Sequence, residues 1–231
     1  MDHDPAFRWR GTNVTRIENL SDIVFAIALG MLVSGVDAPR DVPGLRAFLI
    51  NIVPVGLGFS VLLGLWHGHY TFFRRYGVAD RTIVALNAVL IFVVLFMAYP
   101  LRFAFDSLFS FIVDQANGTE QRSMDLGVIS FGVAGEIISY FACFYATAFA
   151  LLALMQGHVL RRRDLLDFNP HELVVTRQLR FARWVQCAIC LLVAALAWFT
   201  DLNAIAAVGL CLFGLAFMSA RLIYRAPAQQ N

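Results

Sequence analysis

Apolar positions in this chain fall into long blocks separated by short polar ones. Six blocks of membrane length stand out, at about residues 16–36, 47–66, 82–103, 126–155, 184–200 and 202–223. Crossing the hydrocarbon of a bilayer as a helix takes roughly 20 apolar residues at 1.5 Å rise each. The pattern therefore predicts an all-α integral membrane protein with six transmembrane helices per chain. The first block is the weakest. It opens Arg16-Ile-Glu-Asn-Leu-Ser-Asp22 and is free of charge only from Ile23 to Val36. A segment that poor against lipid is better placed among other helices, and ionisable residues at its mouth usually face protein or a water-filled path and carry function. The fourth block is long enough to tilt or to project beyond the bilayer.

Composition agrees with a membrane chain. Of the 231 residues, 59% are apolar and 15% charged, against about 25% charged in soluble domains. The expected division is a tail at 1–15, one membrane domain at 16–225 and a short tail at 226–231, with no cleavable leader expected in the polar start. All 18 basic residues are arginine, and 14 of them fall on one side of the predicted spans, in the N-terminal segment, the second and fourth loops and the C-terminal end. Arg40, Arg46, Arg102 and Arg122 fall on the other side. By the positive-inside rule both termini are cytoplasmic, which requires an even number of spans and agrees with six.

Local signals refine this layout. The apolar stretch 105–113 either prolongs the third helix beyond Pro100 or lies at the interface, and Asn117-Gly118 reads as a turn. Asn169-Pro170 reads as a helix start, with Asn as cap and Pro in the first turn. The Arg161–Arg163 run reads first as a topology anchor, ahead of nucleic acid or anionic lipid. Cys143, Cys187, Cys190 and Cys211 all lie inside apolar spans, where they read as packing residues; Cys187 and Cys190 lack the second pair that a structural zinc site needs. No internal repeat joins the two three-span halves, which argues against an inverted-repeat transporter.

On a helical wheel, Ile23, Ile27, Gly30, Met31 and Ser34 of the first span form one stripe, while Ser21, Asp22 and Phe25 point elsewhere. From periodicity alone, such a stripe reads first as lipid-facing or core surface. A ring of apolar side chains about a symmetry axis would instead make a constriction that gates by size and dewetting. A second cluster is Trp66-His67-Gly68-His69-Tyr70, followed by Asp80 and Asn87. His69 and Asp80 flank a short turn at the same depth as Ser21 and Asp22. With no oxyanion hole or second catalytic pair in the sequence, a structural hydrogen-bond lock is favoured over catalysis. Glu136 is the one acid well inside the fourth span, either a proton or cation site or a residue paired within the bundle.

These residues together resemble the transmembrane protein 175 family of lysosomal and prokaryotic potassium-permeable channels. The family opens its first helix with Arg, a Phe-Ser-Asp motif and an Ile-Val-Phe-Ala-Ile-like run; here Arg16, Leu20-Ser21-Asp22 and Val24-Phe25-Ala26-Ile27 stand in those places. Its Trp-x-x-His at the end of the second helix is similar to Trp66 and His69, and its polar Asp and Asn downstream to Asp80 and Asn87. The resemblance covers roughly residues 16–100 by motif and the remainder by span count. It implies a potassium channel without a carbonyl filter loop, assembled as a homotetramer in the inner (plasma) membrane, whose first helix lines the pore. On that basis Ile23, Ile27, Gly30, Met31 and Ser34 become the constriction, and Arg16, Ser21, Asp22, Trp66, His69, Asp80 and Asn87 the polar network that fixes the first helix. Leu20 replaces the usual Phe, and Gly30 stands where many bacterial members carry a pore-facing Thr.

The leading expectation is thus a non-enzymatic, weakly selective monovalent-cation channel. It would need no cofactor and no metal, would pass K+ with Na+ or H+ as further permeant ions, and would contact lipid and its own copies but no nucleic acid. The alternative is a proton- or cation-coupled secondary transporter using Glu136 and His69.

Overall fold

A computed structural model describes residues 7–34, 39–118 and 131–199. They form five helices: α1 (Arg16–Ser34), α2 (Val42–Tyr76), α3 (Arg81–Asn117), α4 (Phe131–Arg161) and α5 (Pro170–Phe199). Each is long and apolar enough to cross a membrane, so the chain is a multi-pass membrane protein. The predicted sixth span, 202–223, lies outside the described residues.

Most helix boundaries have a local cause. Thr15 and Glu18 form a capping box at the start of α1: the Glu18 amide donates to Thr15 Oγ1 at 3.3 Å, and the Thr15 hydroxyl donates to Glu18 Oε1 at 3.2 Å. Asp41 caps α2 through the Gly44 amide at 2.6 Å, and Asp80 caps α3 through the Ile83 amide at 3.0 Å. Gly77 and Gly118 end α2 and α3 in the left-handed conformation, at φ 62° and 65°. The Asn117-Gly118 turn and the Asn169-Pro170 start thus take their predicted places. Helix α3 passes through Pro100 and includes 105–113, and α5 begins at Pro170, so the arginines of the fourth loop from Arg177 onward lie on the same helix as the fifth span.

The core lies where α3 meets α1, α2 and α4, around Phe25, Leu32, Leu62, Leu90, Met97, Leu101, Phe149 and Leu152. The pairing of α4 with α5 uses small residues instead. Gly135 faces the Ala197 carbonyl so closely that a Cβ there would stand 2.4 Å from it, and the Ser139 hydroxyl donates to the Ala194 carbonyl at 3.0 Å. In lipid there is little hydrophobic drive between helices, so close backbone approach and cross-helix hydrogen bonds hold such pairs.

Residues 7–15 run as a strap across the arginine-rich end. The Gly11 amide donates to the Arg74 carbonyl at 3.1 Å, and Arg74 Nη1 donates back to the Gly11 carbonyl at 2.7 Å. Gly11 is required here, because a Cβ would sit 2.3 Å from the Phe73 carbonyl oxygen. Phe7 is buried edge-on against Tyr76, with the Arg75 guanidinium over its face.

Candidate functional site

Helix α1 presents two faces. Glu18, Ser21, Phe25, Ala28 and Leu32 are buried against the bundle. Ile23 and Ile27, each more than half exposed, form the opposite face with Gly30 and Ser34. A Cβ added at Gly30 would meet nothing within 4 Å, so that face is open in the protomer. Met31 sits at the border of the two faces and packs partly on the core. Ser34 bonds back to the Met31 carbonyl at 3.1 Å. Arg102 on α3 holds the far end of α1 by donating to the Leu32 carbonyl at 2.9 Å.

The buried face is fixed by a directional chain of hydrogen bonds. Asn87 Nδ2 donates to Ser21 Oγ at 2.9 Å, and the Ser21 hydroxyl donates to the Ile17 carbonyl at 2.8 Å. Asn87 Oδ1 is then the acceptor for His69 Nε2 at 2.8 Å, which assigns the proton of the neutral ring to Nε2. His69 Nδ1 has no hydrogen-bond partner among the described residues. Every donor points the same way and the chain ends on a backbone carbonyl, which makes it a lock between α1, α2 and α3 and a poor relay for protons. Phe25 and Phe73 flank the imidazole at 5.7 and 4.8 Å between ring centroids.

The other expected network members are placed elsewhere. Trp66 Nε1 donates to Asp22 Oδ1 at 2.8 Å on the exposed side of the same helices, with Tyr70 stacked on Trp66 at 5.5 Å. Arg16 is exposed and forms no hydrogen bond or ion pair with the described residues. Asp80 caps α3 and reaches the end of α4, where His158 lies at 2.7 Å and Arg162, just past the helix, at 3.4 Å. Desolvation alone would raise the Asp80 pKa; the Ile83 amide, His158 and Arg162 outweigh it and hold the carboxyl below its ordinary range. Glu136 is exposed on the protomer surface and accepts a 2.6 Å hydrogen bond from the Tyr140 hydroxyl one turn on. Among the described residues, no group of three or more His, Cys, Asp or Glu could hold a metal ion.

Two buried ion pairs at the arginine-rich end escape the sequence reading. Glu18 on α1 pairs with Arg74 on α2, and Arg10 in the strap pairs with Glu172 on α5 at 2.7 Å. Glu172 also accepts the Arg8 amide at 2.9 Å, while its partner Arg10 reaches the Leu166 carbonyl at 3.0 Å and lies over the Phe168 ring. The available signals were the spacings Thr15-x-x-Glu18 and Asn169-x-x-Glu172, each a capping box.

The profile of the endosomal/lysosomal potassium channel TMEM175 matches residues 16–97, the stretch that holds α1, the lock and part of the core. A crystal structure of the potassium channel MtTMEM175, a variant bound to a nanobody fusion, superposes with a TM-score of 0.83 at 26% identity, covering 97% of each chain. The chain resembles the TMEM175 family in this stretch and in its fold. A protein named potassium channel from Marivirga tractuosa is 28% identical over 199 residues, 82% of this chain and 76% of that one. Another potassium channel, from Chamaesiphon minutus, is 31% identical over 93 residues, 37% of this chain and 46% of the relative. A solved TMEM175 homologue from Chamaesiphon minutus shares the fold at a TM-score of 0.59 and 22% identity, over 90% of this chain and 97% of that one. Within the TMEM175 family frame, the Trp66–Asp22 and His69–Asn87–Ser21 contacts fall inside the matched stretch, and Glu136 falls outside it.

Proposed function

We propose that this chain is the subunit of a potassium-permeable, weakly selective monovalent-cation channel. Four copies surround a pore lined by α1, with six spans per chain, both termini in the cytoplasm and the assembly in the inner plasma membrane. Ile23 and Ile27 make the constriction, with Gly30, Met31 and Ser34 lining the path beyond it. The observation that carries this reading is the division of α1. One face is locked into the bundle by Ser21, Phe25, Ala28 and Leu32, while the other carries Ile23 and Ile27, each more than half exposed in the protomer. Named potassium channels among the relatives supply the permeant ion.

Weak selectivity follows from the chemistry of that face. Between Ile23 and Met31 it offers no hydroxyl or carbonyl ring to replace the water around an ion, and the Ser34 hydroxyl is turned back onto its own helix. A narrow apolar ring discriminates by whether it stays wet, which separates potassium from sodium poorly.

The test is flux through purified protein in liposomes under a potassium or a sodium gradient, comparing the native chain with Ile27→Asn. Potassium flux that rises in the variant supports a pore closed along this stripe. Absence of flux from both, with folding verified, would sink the channel reading.

A further inference from the structure

The arginine-rich end carries a groove of about 490 Å³ between the end of α4 and the start of α5, apart from the pore helix. Arg161, Arg163, Arg177 and Arg180 line it, over a floor that includes Leu160, Phe181 and Trp184. Residue 157 in its lining is a buried glycine. A Cβ there would press on the Arg180 guanidinium, 3.3 Å from its Nε.

The charges in this groove are not balanced as they are nearby. Arg8, Arg10, Arg74 and Arg162 each pair with a carboxylate within the protein. Among the described residues, Arg163 meets only the exposed Asp164, at 3.6 Å. Arg161, Arg177 and Arg180 have neither an acid nor a hydrogen-bond acceptor among the described residues. Several guanidinium groups gathered over apolar side chains repel one another unless an anion joins them. A phosphate accepts their paired N–H groups in a fork-like geometry.

The rest of α5 says what kind of phosphate. Residues 177, 180, 181 and 184 lie on one helical face at i, i+3, i+4 and i+7. That face continues as Leu191, Leu192 and Trp198, all about half exposed and all apolar. A headgroup-sized basic site thus opens directly onto a hydrocarbon-facing track on a helix of membrane length. We propose that the groove binds an anionic phospholipid, its phosphate held by Arg161, Arg177 and Arg180 and its acyl chains laid along the Phe181, Trp184 and Leu191 face. Free phosphate would use the arginines and leave the track unused.

The full chain, purified in detergent, would be titrated with phosphatidylglycerol, with phosphatidylcholine of the same acyl chains, and with inorganic phosphate, and the bound species counted by native mass spectrometry. Phosphatidylglycerol should be retained at least fivefold more strongly than phosphatidylcholine, and phosphate alone should not bind at the same concentration. Each arginine removed should cost about fivefold, so Arg177→Gln with Arg180→Gln should weaken retention about 25-fold, while Arg46→Gln on α2 leaves it unchanged. Equal retention of the two lipids, phosphate bound as well as the lipid, or undiminished binding by the double variant would overturn the proposal. Should the double variant lose its thermal midpoint, the two single variants carry the same test at fivefold each.

Discussion

Asn87 on α3 donates its side-chain amide to the Ser21 hydroxyl on α1 at 2.9 Å, and both side chains are completely buried. Neither group can fall back on bulk water, so the cost of breaking the bond is set by the partner left behind. In this way a polar contact, too weak to matter on a surface, determines how α1 is rotated against α3.

Ser21→Ala should therefore destabilise the protein by about 1–3 kcal/mol, the penalty for a buried donor left without an acceptor. Thermal unfolding in detergent would read this as a lowered midpoint. Ser21→Thr keeps the hydroxyl and should recover part of the loss. A midpoint unchanged by the alanine variant would remove the lock from the account of how α1 is held.

Ile27→Asn should raise potassium flux in liposomes several-fold, because an amide in the ring keeps the constriction wet. Ile23→Asn, one turn away, should act in the same direction. Phe25→Asn, on the buried face, should lower the folded yield and leave no gain in flux per folded channel.

Glu136→Gln should leave potassium flux within twofold of the native protein. Among the described residues, Glu136 bonds only along its own helix, to Tyr140, and lies apart from the α1 face. A loss of transport in this variant, with Ile27→Asn inert, would favour the coupled-transporter reading.

Arg10→Gln should be among the most destabilising single changes at the arginine-rich end, by about 3–5 kcal/mol. It leaves Glu172, whose side chain is 1% exposed, without its counter-charge. The same assay on Arg8→Gln, whose partner Asp167 is 90% exposed, should show almost no change.

Asp80 supplies the pH dependence. Its carboxyl titrates below the ordinary value of 3.8 because the Ile83 amide, His158 and Arg162 favour the charged form over the opposing effect of desolvation. A lowered folded-state pKa means stability that is fully present above pH 3.8 and lost as pH falls through the lower folded value. Asp80→Asn retains an oxygen for the Ile83 cap but loses the charge. The native protein should be more stable than Asp80→Asn at pH 5–7, and the gap should close as pH falls below 3.8. Thermal midpoints of the two proteins across that range provide the check.

Much of this was readable from residue types and period. A stripe at Ile23, Ile27, Gly30 and Ser34 follows from 100° per residue, and the structure leaves those four side-chain positions on one open face. Resemblance to the family brought His69, Asn87, Ser21, Trp66 and Asp22 together, and each makes a contact across α1, α2 or α3. The same residues gave no hint that Asp22–Trp66 and Ser21–Asn87–His69 are separate, because helical phase places side chains around one axis and says little about which neighbour they meet. Arg16 was expected in the network by position, yet it is Glu18, two residues on and on the opposite face, that turns inward to Arg74. The strap was illegible for a different reason. Residues 7–15 have no periodicity, and the burial of Phe7 depends on Tyr76 and Arg75, some seventy residues away.

The strap also limits how such a channel could open. Immediately before α1, the backbone is laced to α2 through Gly11 and Arg74 and stapled to α5 through Arg10 and Glu172, while Arg102 grips the far end of α1 at Leu32. Helix α1 is thus clamped at both ends and locked at its second turn by Ser21. In the proposed tetramer, a swinging gate on this helix would have to tear three sets of buried contacts at once. Side-chain rotation at Ile23 and Ile27, or a shift of whole subunits about the axis, disturbs none of them, so the pore would change width without any pore helix bending.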